Sequence, residues 1–467
     1  MAFSPPDRVT RYATPKTPAS AFRATARPLH CRSPLPLSTD AGAQWADCAP
    51  ADAWSSSKPG TRRAASQALA SCTGAEASAV PLGDRRPGQL PSASGTLSRV
   101  RGSPVTDVVV VGAGIVGASV AYHAACAGAA VLLIDRSLPA SGVTGDSFAW
   151  VRGPSAGDAI DGSTPLRRTA LEDWARLERE VPGVLVRWSG SLAWGEEALS
   201  ETDKLGADER LADADEIRRL EPNLRVALRE AIWRPRDGAV DPVAVTEALI
   251  DAARRHGAQV RLGESVRGLR TKDAAVVGVD TSTGSFPSRT VVLAAGVEVP
   301  TLCAAVGVDL PIAASPAVLM RFRASPGLLR RLLHCPWGDF RQTKDGMLLA
   351  AAGTAKKDEL QRNAHATLQR LKNMLSGAND IQLSDVRIGA RPMPVDGLPI
   401  VGSLPAHPGG YIAVMHSAVT LAPAAGRLVA DEVIDGLELE ELQGVRPHRF
   451  ATAAETARAS SDEPAVS

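Results

Sequence analysis

The pattern of apolar and polar positions changes character near residue 105. Beyond it, Asp107-Val108-Val109-Val110-Val111 is a β-branched run of the kind expected for a strand buried on both faces. Gly112 to Gly117 forms a turn. Ala118 to Ala127 then reads as a small-residue helix closed by Gly128, and Ala130 to Ile134 as a second buried strand ending at Asp135. Val243 to His256 has helical periodicity, starts from Asp241 as cap with Pro242 at the first helical position, and is ended by Gly257. Val260 to Leu262, Ser265 to Leu269, Thr290 to Leu293 and Tyr411 to Met415 are predicted strands. Asp358 to Leu375 and Thr420 to Ile434 are predicted helices, and Lys344-Asp345-Gly346 marks a hairpin turn. Strands alternating with helices define an α/β protein with a parallel sheet.

Residues 1–104 carry no such period. They hold 13 of the 34 prolines and few long apolar side chains, too little to offset the entropy of ordering. Disorder is expected there, as it is for 446–467. Residues 1–39 contain a single acid, Asp7, so two readings stay open: an organelle transit segment, or sequence outside the native protein.

Composition narrows the function classes. The whole chain of 467 residues has a formal net charge of +1, but residues 1–104 carry 13 Lys+Arg against 6 Asp+Glu, a net of +7. The remainder therefore has 39 against 45, a net of −6, which disfavours nucleic acid as a partner. The six cysteines are scattered, with no Cys/His cluster, so neither a metal site nor a disulfide framework is indicated. A reducing, cytoplasmic location is expected, with an organelle as the alternative if residues 1–39 are a transit peptide. Val108 to Ile134 is apolar enough to suggest a membrane span, but its glycines divide it into strand, turn, helix and strand, so no membrane span is expected.

The turn Gly112-Ala113-Gly114-Ile115-Val116-Gly117 has the spacing of a dinucleotide-binding motif. The first glycine permits the tight turn, the second admits a pyrophosphate to the backbone, and the third lets helix and strand pack closely. The helix N-terminus offers unpaired amides to phosphate, and Asp135 ends the second strand where a carboxylate can accept from ribose hydroxyls. The motif alone fits NAD or FAD.

Four later segments bear on that choice: the small polar loop Pro139 to Trp150, which follows Asp135-Arg136; Arg236-Asp237-Gly238-Ala239-Val240-Asp241-Pro242; Thr290 to Gly296; and Gly389-Ala390-Arg391-Pro392 through Asp396-Gly397-Leu398-Pro399-Ile400-Val401-Gly402, followed by Tyr411 to Pro423. Together they make residues 105–445 resemble the FAD-dependent D-amino acid oxidase superfamily, which includes glycine and sarcosine oxidases. The resemblance implies a Rossmann-like FAD-binding domain over 105–187, 236–302 and 385–445. It is interleaved with an α+β substrate domain on an antiparallel sheet over 188–235 and 303–384. It implies non-covalent FAD, a small amine or amino acid as substrate, and oxygen or a quinone as acceptor. The alternatives are a 2-hydroxy-acid dehydrogenase and a non-catalytic flavoprotein within a larger complex.

Residue by residue, the resemblance places Arg136, Ser141 and Ser147 near the phosphates or ribose, Val266 at adenosine through its backbone, and Ala295, Gly296 and Gly397 against the cofactor. Ser417, Val419 and Thr420 begin a helix whose amides face the flavin. Arg391 matches the position of a carboxylate-binding arginine. His416 is either a flavin or substrate contact or a core histidine, and Arg341 either a substrate or flavin contact or a solvated strand end. Ala418 stands where similar proteins often have glycine, which puts activity in question more than binding.

Overall fold

A computed structural model describes residues 106–154, 161–200, 202–353 and 359–450. The expectations for residues 1–104 and 451–467 lie outside the described residues. The predicted βαβ unit is formed by strand Thr106–Val111, helix Ile115–Cys126 and strand Val131–Asp135. The helix begins one turn earlier than its apolar pattern suggests, because Gly114 serves as its cap.

The first sheet follows the order Ile400–Ser403, Gly410–Val414, Ser285–Leu293, Thr106–Val111, Val131–Asp135, Gln259–Leu262. All neighbours along it are parallel except the edge strand Ile400–Ser403, which is antiparallel. Its residues alternate between two cores. Val108, Val110 and Leu133 pack under helices Ile115–Cys126, Thr164–Glu180, Pro242–Arg255 and Ala418–Asp435. Val109, Val111, Leu132 and Ile134 face an antiparallel meander of Val266–Lys272, Ala275–Thr281 and the first half of Ser285–Leu293. Both faces are covered, which is why the strands read as unbroken apolar runs.

A polar network joins the buried helices. Asp173 accepts two bonds of 3.0 Å from Arg427 and two, of 3.0 and 3.1 Å, from Arg176, and Arg176 Nη2 lies 2.8 Å from His123 Nε2. Burial raises the pKa of Asp173, but these arginines outweigh it and hold the carboxyl below its ordinary value.

The second sheet has the order Gln382–Pro394, Ile312–Arg323, Met347–Ala352, Gly338–Gln342, Leu332–Cys335, Ser191–Ala193, Glu230–Arg234, Arg210–Asp213. It is antiparallel apart from one parallel pair, Leu332–Cys335 with Ser191–Ala193. Val318, Met320, Phe322, Phe340 and Leu348 form one face, packed with Leu371 and Met374 of helix Leu360–Met374. By the two-residue period, Arg321, Arg341 and Arg387 fall on the other face.

Two boundaries differ from expectation. Strand Gln382–Pro394 pairs with Ile312–Arg323 along its whole length, so the division expected at 385 falls inside a strand. Pro392 inside this strand is tolerated because this is the sheet's edge strand, where a missing N–H breaks no ladder. The tail expected to be disordered from 446 is ordered through Phe450. Arg446 is buried and forks onto Glu432, which also accepts from the Tyr411 hydroxyl at 2.5 Å.

Candidate active site

A cleft of about 590 Å³ opens at the carboxyl ends of the parallel strands. Gly112, Gly114, Ile115, Val116, Asp135, Arg136, Ser141, Val266, Ala295, Gly296, Arg391 and His416 all line it, as does Ala418.

The glycine turn is built for close approach. Gly112 has φ +110, and a Cβ there would meet the Ala294 carbonyl oxygen at 2.5 Å. A Cβ on Gly117 would lie 1.9 Å from the Gly112 oxygen, so this glycine sets helix–strand packing and does not line the cleft. Gly114 brings no side chain to the cap of helix Ile115–Cys126 and the first turn holds no acid, so its N-terminal charge is not neutralised from within. Asp135 shapes the turn as well as facing the cleft: Oδ2 accepts from Ala113 N at 2.6 Å and Oδ1 from Ser137 N at 2.8 Å. A helix end with no acid of its own, over a glycine turn and with a carboxylate beside it, fits the pyrophosphate and ribose of a dinucleotide.

The loop after the second strand holds this turn from the other side. Ala140 N donates to Ala113 O at 3.0 Å, and Ile115 N donates to Thr144 Oγ1 at 3.3 Å. Thr144 is thus the hydroxyl that reaches the helix end. Sequence reasoning chose Ser141 and Ser147. Ser141 lines the cleft, but Ser147 turns inward and donates to Thr144 O at 2.7 Å. In a loop rich in Ser, Thr and Gly, no pattern marks which hydroxyl points at the helix.

Arginines of the second sheet grip the same loop. Arg321 Nη2 donates to Gly145 O at 2.7 Å, Arg387 Nη1 to Asp146 Oδ1 at 3.3 Å, and Arg341 Nε to Phe148 O at 2.5 Å. Cross-strand register explains the row: Arg341 pairs with Leu349, Leu349 with Arg321, and Arg321 with Asp385. Arg341 also donates to Val240 O at 3.1 Å. It is buried, with its pKa pushed down to about 10 by that burial. It is neither a cleft residue nor a solvated strand end, which corrects both expectations; its guanidinium satisfies buried backbone carbonyls.

Other expected contacts are also displaced. Gly397 is an exposed turn residue with φ +75, its neighbour Asp396 pairing with Arg449 at 2.7 Å. Thr420 donates to Trp150 O at 3.0 Å and accepts from Arg152 N at 3.3 Å, which ties the helix to the strand Trp150–Val151. Val419 is buried in the helical core, and Ser417 is the helix cap residue; neither lines the cleft. Glu264, which sequence reasoning passed over, lines the cleft and accepts from Thr281 and Thr283 hydroxyls; these bonds hold its carboxyl below the ordinary value.

At the other part of the lining, Arg391 Nη1 lies 3.3 Å from His416 Nε2, and Nη2 donates to Ser315 Oγ at 3.1 Å. Burial, with the charges of Arg391 and Arg167, lowers the His416 pKa. No carboxylate pairs with Arg391 among the described residues. Helix Ala418–Asp435 begins beside this pair, again with no side chain bonded at its cap.

Fold and cleft together define a flavin- or nicotinamide-type dinucleotide enzyme. A family model described as FAD dependent oxidoreductase matches residues 107–432, and the chain belongs to that family. It is similar to glycine oxidase of Bacillus licheniformis, 24% identical over 343 residues that cover 70% of this chain and 93% of that protein. It is also similar to an opine oxidase component of Rhizobium meliloti, 26% identical over 372 residues covering 74% and 97%. In structure, L-amino acid deaminase from Proteus myxofaciens superposes with a TM-score of 0.67 at 20% identity, covering 74% of this chain and 94% of that one. Glycine oxidase from Bacillus cereus gives 0.64 at 22% identity, covering 73% and 98%. The protein is therefore an FAD-dependent oxidoreductase. No cysteine lines its cleft among the described residues, and no described helix is long and apolar enough to cross a membrane.

Proposed function

We propose that the protein oxidises a small amino acid, or an N-substituted one, at the carbon bearing nitrogen. The observation that carries this reading is Arg391: a half-buried guanidinium in the cleft, fixed by neutral groups and paired with no acid among the described residues. A guanidinium in that state is suited to a carboxylate, which it can grip through charge-assisted bonds. The resemblance to a glycine oxidase and to an opine oxidase component, proteins named for amino acid or amino-acid-derived substrates, supports the same class.

FAD, when bound, supplies the two-electron acceptor for a hydride. Asp135, the glycine turn and the first helix would hold its ribose and phosphates. Arg391 holds the substrate carboxylate and so fixes which C–H bond faces the cofactor. The substrate's neutral amine would supply the electron pair that forms C=N as hydride leaves carbon, with the N–H proton passing to water; water then adds to the imine, which gives a carbonyl and releases ammonia or an amine. Among the described residues, the lining around Arg391 and His416 (Ala390, Pro392, Met415 and Ala418) carries no carboxylate base, as suits hydride loss better than proton abstraction from carbon.

The test is anaerobic bleaching of the visible flavin band by a panel of amino acids, N-alkyl amino acids, carboxylate-free amines and 2-hydroxy acids. Amino acids should bleach it. Arg391→Ala should weaken their apparent affinity by about a hundredfold, ~2.7 kcal/mol. Bleaching by hydroxy acids alone, or unchanged affinity in the variant, overturns the reading.

A further inference from the structure

We propose that Ser315 and His416 are positioning residues that preset the Arg391 guanidinium for an incoming carboxylate while leaving its charge unspent. The proposal rests on the carboxylate reading of Arg391. The two partners come from different elements. Ser315 is the direct cross-strand neighbour of Arg391 in the register of Ile312–Arg323 with Gln382–Pro394, and its hydroxyl takes Nη2 at 3.1 Å. His416 lies in the turn before helix Ala418–Asp435 and meets Nη1 at 3.3 Å.

The chemistry of the contacts is informative. Arginine has donors only, so His416 can bond it solely through an unprotonated Nε2, which leaves the ring proton on Nδ1. Serine likewise accepts without bearing charge. A carboxylate in either place would orient the guanidinium equally well, but it would neutralise the cation that the substrate must find. Two neutral acceptors separate orientation from neutralisation. Nη1 keeps a second hydrogen to give, that of Nη2 meets only the Pro316 carbonyl at a long 3.5 Å, and Nε is buried without a partner.

The backbone is stiffened in the same place. Ser315 precedes Pro316 and Arg391 precedes Pro392, and a residue before proline is confined to extended conformations. Both members of the cross-strand pair therefore start from fixed backbone positions. A long, otherwise mobile side chain is ordered before binding, so less affinity is lost to ordering it afterwards.

The test uses holoenzyme and acetate, the smallest alkyl carboxylate, titrated at constant ionic strength and read from the perturbation of the flavin visible spectrum. Flavin content is measured for each variant so that comparison is at equal loading. Ser315→Ala and His416→Leu should each raise the acetate Kd by about tenfold. KM for an amino acid substrate should rise in step, by more than kcat falls. Ser315→Thr, which keeps the hydroxyl, should bind acetate like the parent. Arg391→Ala separates the two levels of argument. If it loses acetate binding while Ser315→Ala and His416→Leu retain it, the positioning role is refuted and the carboxylate reading stands. If Arg391→Ala itself binds acetate normally, the carboxylate reading fails and the positioning role with it. Equal weakness of Ser315→Thr and Ser315→Ala also overturns the proposal, since packing rather than the hydroxyl would then be at work.

Discussion

Mild acid should loosen the cofactor half of the protein through one buried imidazole. His123 sits on helix Ile115–Cys126, the helix that begins at the glycine turn. Its Nδ1 lies 2.8 Å from Ser119 O and its Nε2 2.8 Å from Arg176 Nη2. A carbonyl can only accept and a guanidinium can only donate, so the ring carries its proton on Nδ1 and a lone pair on Nε2. A second proton would set N–H against the guanidinium. Burial first, and then Arg176, push its pKa down from 6.5 to about 3. The folded value lies below the unfolded one, so the unfolded chain takes up a proton that the folded chain refuses. The stabilisation is full above the unfolded value of 6.5 and drains away as pH falls toward about 3. Going from about pH 7 to about pH 5 should cost ~2 kcal/mol through this residue. Equilibrium urea unfolding, followed by tryptophan fluorescence and by flavin release, measures it. His123→Leu is expected to be less stable outright, since Arg176 loses an acceptor, but to lose ~2 kcal/mol less than the parent over that pH interval. Buried Asp237 and Glu221, whose pKa values burial raises, add stability as pH falls, and His416 acts in the same sense as His123; these contributions occur in both proteins and cancel in the comparison. Equal losses in the two proteins would refute the reasoning.

Two further substitutions probe the cofactor cradle. Gly117→Ala should drive the helix off the strand, because its Cβ has only 1.9 Å to the Gly112 oxygen; the purified protein should contain a small fraction of the parent's flavin, and full stoichiometry would contradict the packing argument. Arg341→Met removes the donors to Phe148 O and Val240 O and leaves buried carbonyls unpaired, for an expected loss of ~2–4 kcal/mol in denaturant unfolding. A loss within about half a kcal/mol would show that these bonds are dispensable.

The βαβ unit was legible because its signals agree: β-branched runs, glycines at fixed offsets and an acid at the second strand's end all point to one local structure. The cap at Asp241 was legible too, since its carboxylate accepts from Val243 N and Ala244 N, a purely local bond. What failed was whatever depends on partners far along the chain. Arg341 owes its place to carbonyls at Phe148 and Val240, and Thr144 owes its role to an amide at Ile115. The strand Gln382–Pro394 is not legible from sequence because Gly389, Pro392 and Pro394 argue locally against a strand, while its edge position removes the penalty. Arg391 was singled out by resemblance, but its neighbour Ser315, 76 positions earlier, could be found only from the register of two strands.

The arginine row has a consequence for recombining this enzyme with its kin. The loop at the glycine turn is covalently part of one half but is clasped by Arg321, Arg341 and Arg387 of the other. Transplanting a foreign second sheet would bring a different set of clasps to a loop shaped for these. Chimeras should therefore succeed only when loop and sheet are exchanged as one cassette, and new specificities should be sought by altering the end of the sheet near Arg391 while leaving that row intact.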